Sequence, residues 1–303
     1  MPRPLPDAVG PDGRGGITVE LVQRLLAQQF PRWAGLPVRP VPADGWDNRT
    51  YRLGDDLLVR LPSAAGYAAA VAKEDRWLRR LAPGLPLRVP EPVATGRPGA
   101  GYPWSWSVRR WIPGRPVLGT SPADPVTFAR DLAAFLRALR ALDPAEGPAP
   151  GAHCFHRGGP PAFYDAEVRA ALDSLGATVD GDACRAVWAS ALASSWTGPP
   201  VWFHGDVAVG NLLLDDEGVL SAVLDFGTCG VGDPACDLVV TWTLLRDEAR
   251  AAFRAGVGLD DATWARARGW ALWKALIVLA GDATDAAGNR GVVAEVLADH
   301  ARS

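Results

Sequence analysis

Apolar residues recur at helical spacing near the start of the chain, at Val19, Leu21, Val22, Leu25 and Leu26. That period predicts a helix beginning near Ile17, after an opening rich in Pro, Gly and Asp. The period then changes. Residues 38–41, 50–53 and 57–61 read as strands, with Gly54, Asp55 and Asp56 as a hairpin turn between the last two and a loop over 43–48 between the first two. A helix follows over 65–81 and is ended by Pro83 and Gly84. Two further strands fall near 93–95 and 104–112, and Pro113, Gly114, Arg115 and Pro116 punctuate the chain. Beyond Ser121 the pattern is mainly helical, apart from short strands clustered over 201–225. The expected fold class is α+β, with a strand-rich N-lobe over 1–113 and a mainly helical C-lobe over 114–303.

Composition narrows the function. The 303 residues are 48% apolar and 21% charged, ordinary globular usage that supports a sizeable core. A formal net charge of -3 supplies no basic field for a polynucleotide, so no nucleic-acid partner is expected. The N-terminus lacks the apolar stretch of a signal peptide, and the most apolar helix, over 270–280, is short and interrupted by Lys274. A cytosolic protein without a membrane partner is therefore expected. Cys154, Cys184, Cys229 and Cys236 are scattered without paired spacing, which suits reduced thiols. His153, Cys154 and His156 cluster in a Pro- and Gly-rich loop over 144–161, but a fourth metal ligand is not evident.

The chemistry concentrates over 201–227. Leu212 to Leu214 and the apolar run over 219–224 flank an Asp-Asp-Glu-Gly turn and should pair as an antiparallel hairpin. Asn211 enters the first strand and Asp225 leaves the second, so the two should lie side by side at the open end. An amide oxygen and a carboxylate that converge suit Mg²⁺, which takes one or two protein carboxylates and completes its shell with water and phosphate. Asp206 lies on the loop after the apolar strand 201–203 and can face the phosphates from the opposite side.

These residues form a pattern. His204-Gly205-Asp206, followed by Asn211 and then Asp225-Phe226-Gly227, resembles the catalytic and metal-binding loops of the aminoglycoside phosphotransferase family, relatives of protein kinases. Gly232-Asp233-Pro234 with Asp237 and Leu238 resembles that family's continuation. The resemblance implies a bilobal protein-kinase-like fold and magnesium-dependent transfer of the γ-phosphoryl group of ATP or GTP to an alcohol. It implies that Asp206 orients and deprotonates the acceptor hydroxyl, that Asn211 and Asp225 hold magnesium, that His204 is scaffold and that Asp237 is a buried support. An isolated Asp or Asn in a turn is ordinarily turn chemistry, and Asp233 and Asp237 read first as structural.

The N-lobe carries related features. Val71, Glu74, Leu78 and Leu81 share one helix face, which turns the Glu74 carboxylate inward, where it needs a cation. Arg60 is the candidate; the resemblance places the phosphate-contacting base at this strand position, with arginine here replacing the kinase lysine. The loop of Gly45, Trp46, Asp47 and Asn48 sits where the family covers the triphosphate. The strand containing Arg109 and Trp111 resembles its hinge, near 107–113, whose backbone meets the purine. Trp270, Trp273, Ile277 and Ala280 share helical spacing, read as packing or as one aromatic wall of an acceptor pocket. Asp247, Glu248, Asp260, Asp261 and Asp282 read as solvated surface, with attraction of a cationic aminoglycoside as the functional alternative. The expected activity is O-phosphorylation of an antibiotic of aminoglycoside, macrolide or nucleoside type, conferring resistance. Two alternatives stand beside it: a metabolic kinase of the same fold, acting on choline, homoserine, a sugar or a fructosamine-like acceptor, and a nucleotide-binding pseudokinase.

Overall fold

The computed structural model describes residues 16–41, 47–281 and 285–303. Gly45, Trp46 and Asp282 lie outside them. The chain divides into two compact units. The first holds the described residues up to Pro83, Arg88–Pro113 and, from far along the sequence, Ala222–Gly227; the second holds the other described residues.

In the first unit α1 (Val19–Gln29) is capped by Thr18, whose hydroxyl accepts the Leu21 N–H, and buries Leu21, Val22, Leu25 and Leu26. β1 (Val38–Pro40), β2 (Asn48–Leu53), β3 (Leu57–Pro62), β4 (Pro92–Gly96) and β5 (Trp106–Arg110) form one antiparallel sheet in the order β1-β2-β3-β5-β4. α2 (Ala65–Leu81) follows β3 and covers the sheet through β3, β4 and β5.

The register sorts the side chains. Val59 pairs with Val108 and Tyr51 with Val59, so Tyr51, Leu53, Leu57, Val59, Leu61, Trp106 and Val108 share an apolar face packed on α1. Arg60 pairs with Ser107, and Leu58 with Arg109, which places Arg60, Ser107 and Arg109 together on the opposite face. The segment from Ala222 joins this unit through a parallel bridge to Arg88 and a Val223 N–H bond to the Arg88 carbonyl, and so carries Asp225 with it.

The second unit contains β6 (Arg115–Pro116), α3 (Pro125–Ala141), α4 (Asp165–Leu175), α5 (Gly181–Leu192), β7 (Val201–Phe203), β8 (Leu212–Leu214), β9 (Leu220–Val223), β10 (Gly230–Gly232), α6 (Val240–Thr243), α7 (Asp247–Val257), α8 (Asp261–Ala280) and α9 (Ala286–His300). The last two residues of β9 belong to the first unit. β6, β8 and β9 form one small sheet, and β10 pairs antiparallel with β7. β8 turns into β9 with the Asp215 N–H on the Val219 carbonyl, the hairpin expected there. α8 is the central element. It packs on α4, α5 and α9 and is buried on nearly all sides from Thr263 to Leu276, with Arg266 neutralised by Asp233 and Arg268 by Asp299.

Candidate active site

In the second unit the chain leaves β7 and turns at Gly205, whose φ is +86° and where a Cβ would meet the Thr228 carbonyl oxygen at 2.8 Å. The buried Asp237 carboxylate accepts the N–H groups of His204 (2.8 Å) and Gly205 (2.6 Å), while Thr228 Oγ donates to the His204 carbonyl (2.9 Å). Burial pushes the Asp237 carboxyl above its usual range, although His204 and the two N–H donors oppose that. Asp233 caps the turn at Ala235 and is bound to Arg266 Nε at 2.7 Å.

The loop so braced presents Asp206 with three partners. Its own N–H donates to His204 Nδ1 (3.2 Å), Asn211 Nδ2 donates to its Oδ2 (3.2 Å) and main-chain carbonyl (2.9 Å), and Lys274 Nζ reaches Oδ1 at 3.0 Å. Burial pushes this carboxyl up, but the charges of Lys274 and Arg157 outweigh it and hold Asp206 below the usual carboxylate range. About a third of the Asp206 side chain, 32%, remains exposed.

Lys274 and Arg157 are the functional candidates that sequence reasoning missed. Lys274 entered it only as an interruption of an apolar helix, yet it is one of two lysines in the chain and stands on the most buried helix.

In the first unit Glu74 turns from α2 onto the polar face of the sheet. Arg109 grips it with both nitrogens, Nη1 to Oε1 at 3.0 Å and Nη2 to Oε2 at 2.8 Å, and donates from Nε to Ser107 Oγ. Arg60 is a more distant partner, 3.4 Å from Glu74 Oε1 through Nη1 and 3.5 Å from Asp225 Oδ2 through Nη2. The expectation that Arg60 answers Glu74 is thus refined: β5 supplies the nearer cation, and Arg60 spans two carboxylates. Burial pushes the Glu74 carboxyl up, but Arg109 and Arg60 outweigh it and lower its pKa to about 2.

Asp225 sits at φ +62°, a left-handed position that costs a non-glycine residue about 1–3 kcal/mol, and its Oδ1 accepts the Gly227 N–H. Arg109 is fully buried on Glu74. The Trp111 N–H goes to the Asp56 carbonyl, and its ring lies 4.2 Å from the Arg52 guanidinium carbon. The Asp47 carbonyl accepts both the N–H and the hydroxyl of Ser63, and Asn48 opens β2 across from Pro62.

Asn211 spends its amide N–H groups on Asp206, which leaves its oxygen as a donor in the second unit, and in the first unit the Asp225 carboxylate is 34% exposed. Elsewhere the four cysteines are buried and join no disulfide among the described residues, with the Cys154 thiol bonded to the Gly151 and Arg157 carbonyls. His153 Nε2 bonds the Ala149 carbonyl and His156 stacks on Phe163. Among the described residues no helix is long and apolar enough to cross a membrane.

A model of the phosphotransferase enzyme family, APH, matches residues 38–270. The chain belongs to this family. It is a kinase-type phosphotransferase of protein-kinase-like fold. The GDP complex of aminoglycoside 2'-phosphotransferase-IIIa superposes with a TM-score of 0.68 at 18% identity, covering 92% of this chain and 98% of that one. The macrolide 2'-phosphotransferase MphH of Brachybacterium faecium gives 0.57 at 25% identity, over 92% and 97% of the two chains. A macrolide 2'-phosphotransferase type I gives 0.60 at 21%, over 93% and 97%. No curated protein matches the sequence. The family match ends at Trp270, about one helical turn before Lys274, so the lysine bound to Asp206 lies outside the matched stretch of this phosphotransferase.

Proposed function

We propose that this phosphotransferase moves the γ-phosphoryl group of ATP or GTP to a hydroxyl of an antibiotic of aminoglycoside, macrolide or nucleoside type, in the cytosol, and thereby confers resistance. The observation that carries the proposal is the Asp206 carboxylate, held ionised by Lys274 and fixed by Asn211 on a braced loop. Such a carboxylate is ionised at neutral pH, oriented, and able to accept a hydroxyl proton. It takes the proton of the acceptor hydroxyl as that oxygen bonds the γ-phosphorus and the bond to the bridging oxygen breaks, releasing the nucleoside diphosphate.

Magnesium would be held by Asn211 and Asp225 and would neutralise charge on the β- and γ-phosphates. Arg60 would contact phosphate, with Glu74 as its partner. Gly45, Trp46, Asp47 and Asn48 would cover the triphosphate, and the strand of Arg109 and Trp111 would meet the purine. Arg109 serves this site through Glu74, since its guanidinium is already engaged there. His204 and Asp237 hold the loop rather than touch substrate.

Lys274 offers a test. The charges of Lys274 and Arg157 act on Asp206, and the His204 ring lies against it. Lys274 depresses the pKa of the base, so it extends activity toward acid. Lys274→Met should move the acidic limb of the kcat/KM profile to higher pH, and Lys274→Arg should restore it. An acidic limb that stays in place in Lys274→Met would count against Asp206 as the base.

A further inference from the structure

The loop between α3 and α4 places two consecutive non-glycine residues in the left-handed region, Phe155 at φ 51° and His156 at φ 54°. Each costs about 1–3 kcal/mol, so the surroundings must enforce them. They do: the Tyr164 hydroxyl donates to the Phe155 carbonyl at 2.7 Å, and the Cys154 thiol bonds the carbonyls on either side of the turn. What the strained turn achieves is exposure. Phe155 is left 47% exposed and Phe163 57% exposed, which burial alone would never favour.

From Phe163 the ring contacts continue inward. His156 stacks on Phe163 (centroids 3.5 Å apart), Phe163 meets Tyr164 edge-on (5.0 Å), and Tyr164 stacks on Trp273 (3.9 Å), the residue preceding Lys274. The Arg157 guanidinium carbon lies 5.6 Å from the Phe155 ring and 6.0 Å from that of Trp273, and its charge acts on Asp206. The ring contacts therefore run from exposed Phe163 through buried Tyr164 and Trp273 to the neighbour of Lys274, and Arg157 links the exposed Phe155 ring to the charge field of Asp206.

Its charge is as telling as its shape. Beside Asp206 stand two cations, Lys274 and Arg157. Of the acids of this region, Asp165 accepts the Trp188 indole N–H and pairs with Arg169, while Glu167 accepts the neutral Trp273 indole N–H (3.0 Å) and keeps its single charge. The acids considered for attracting a polycation are elsewhere. Asp260 caps α8 at Thr263, and Asp261 pairs with Arg254, about 20 Å along the helix from Lys274. Asp247 and Glu248 open α7.

We propose that the acceptor lays an extended apolar face on the Phe155 and Phe163 rings, presents its hydroxyl to Asp206, and carries at most one positive charge. The inference rests on the phosphotransferase reading of Asp206 and narrows its substrate class. Aromatic walls with few polar groups suit such a ligand, and cations beside the base repel a polyamine.

The experiment compares kcat/KM of the full chain, with magnesium and ATP or GTP, for kanamycin as a polycation and for a macrolide bearing a single amine. The macrolide should be preferred by about a hundredfold, one factor of ten for each cation facing an acceptor ammonium. Replacing both exposed rings, Phe155→Ala with Phe163→Ala, should raise the macrolide KM about tenfold and leave the nucleotide KM in place. Phe155→Leu with Phe163→Leu keeps the apolar bulk, controls for folding and should give a smaller rise in the same direction. Preference for kanamycin, or an unchanged macrolide KM in both double variants, overturns the inference. Nucleotide turnover without acceptor separates the two layers: if it is present while kanamycin is preferred, only the acceptor class falls; if no nucleotide is consumed under any condition, the phosphotransferase reading falls and the acceptor class with it.

Discussion

Asp206→Ala should lower turnover on the order of 10²- to 10⁴-fold, the contribution of a positioned general base, while nucleotide affinity stays close to that of the parent. The asymmetry follows from the contacts. Asp206 is tied to Lys274, Asn211 and His204, all in the second unit, and none of these ties reaches the cluster of Arg60, Glu74 and Asp225 in the first. The substitution should also be mild for folding, because the freed Lys274 is 43% exposed and water can take over its charge. Steady-state rates beside nucleotide titration by calorimetry separate the two effects. Parental kcat in the variant would remove Asp206 from the chemistry.

Glu74→Ala should have the largest effect on stability. The carboxylate is buried between Arg109, itself 1% exposed, and Arg60, 12% exposed, and removing it leaves two cations facing each other in a dry layer. Breaking such a pair from one side costs about 3 to 5 kcal/mol. For a unit of this size that is roughly a 10 to 20 °C fall in melting temperature. The pH dependence gives a second signature. Folding depresses the Glu74 pKa from 4.5 to about 2, so its stabilisation is complete above pH 4.5 and is lost as pH falls toward about 2. Stability of the parent should therefore decline through that window, and more steeply than that of the variant. Equal slopes, measured by denaturant titration at several pH values, would show that Glu74 is not held ionised.

The helical and strand periods made much of the fold legible. The α2 helix, the β2-β3 hairpin and the turn between β8 and β9 follow from alternation, turn residues and a Pro-Gly stop. β6 and β10 were not legible, because two or three residues carry no period; each exists only through its partner, β8 or β7. Arg109 as the close partner of Glu74 was hidden for a related reason. β5 is buried on both faces, so its aromatic alternation announces one face and leaves Ser107 and Arg109 unexplained until the Arg60–Ser107 register is known. The bond from Lys274 to Asp206 spans 68 residues and has no local signature. The left-handed pair Phe155 and His156 contains no glycine to mark it. The loop motif His204-Gly205-Asp206 was readable for the opposite reason, since its glycine is demanded by a positive φ and its aspartate sits one residue on.

The central claim is phosphoryl transfer to a small-molecule hydroxyl. Its most direct test is mass spectrometry of acceptors incubated with the purified chain, magnesium and ATP or GTP, across aminoglycosides, macrolides, nucleoside antibiotics and small metabolic alcohols. The structure and the family lead us to expect one antibiotic heavier by a single phosphate, formed by the parent and not by Asp206→Ala. Bound nucleotide with no acceptor gaining phosphate, or product formed equally by the variant, would contradict the account.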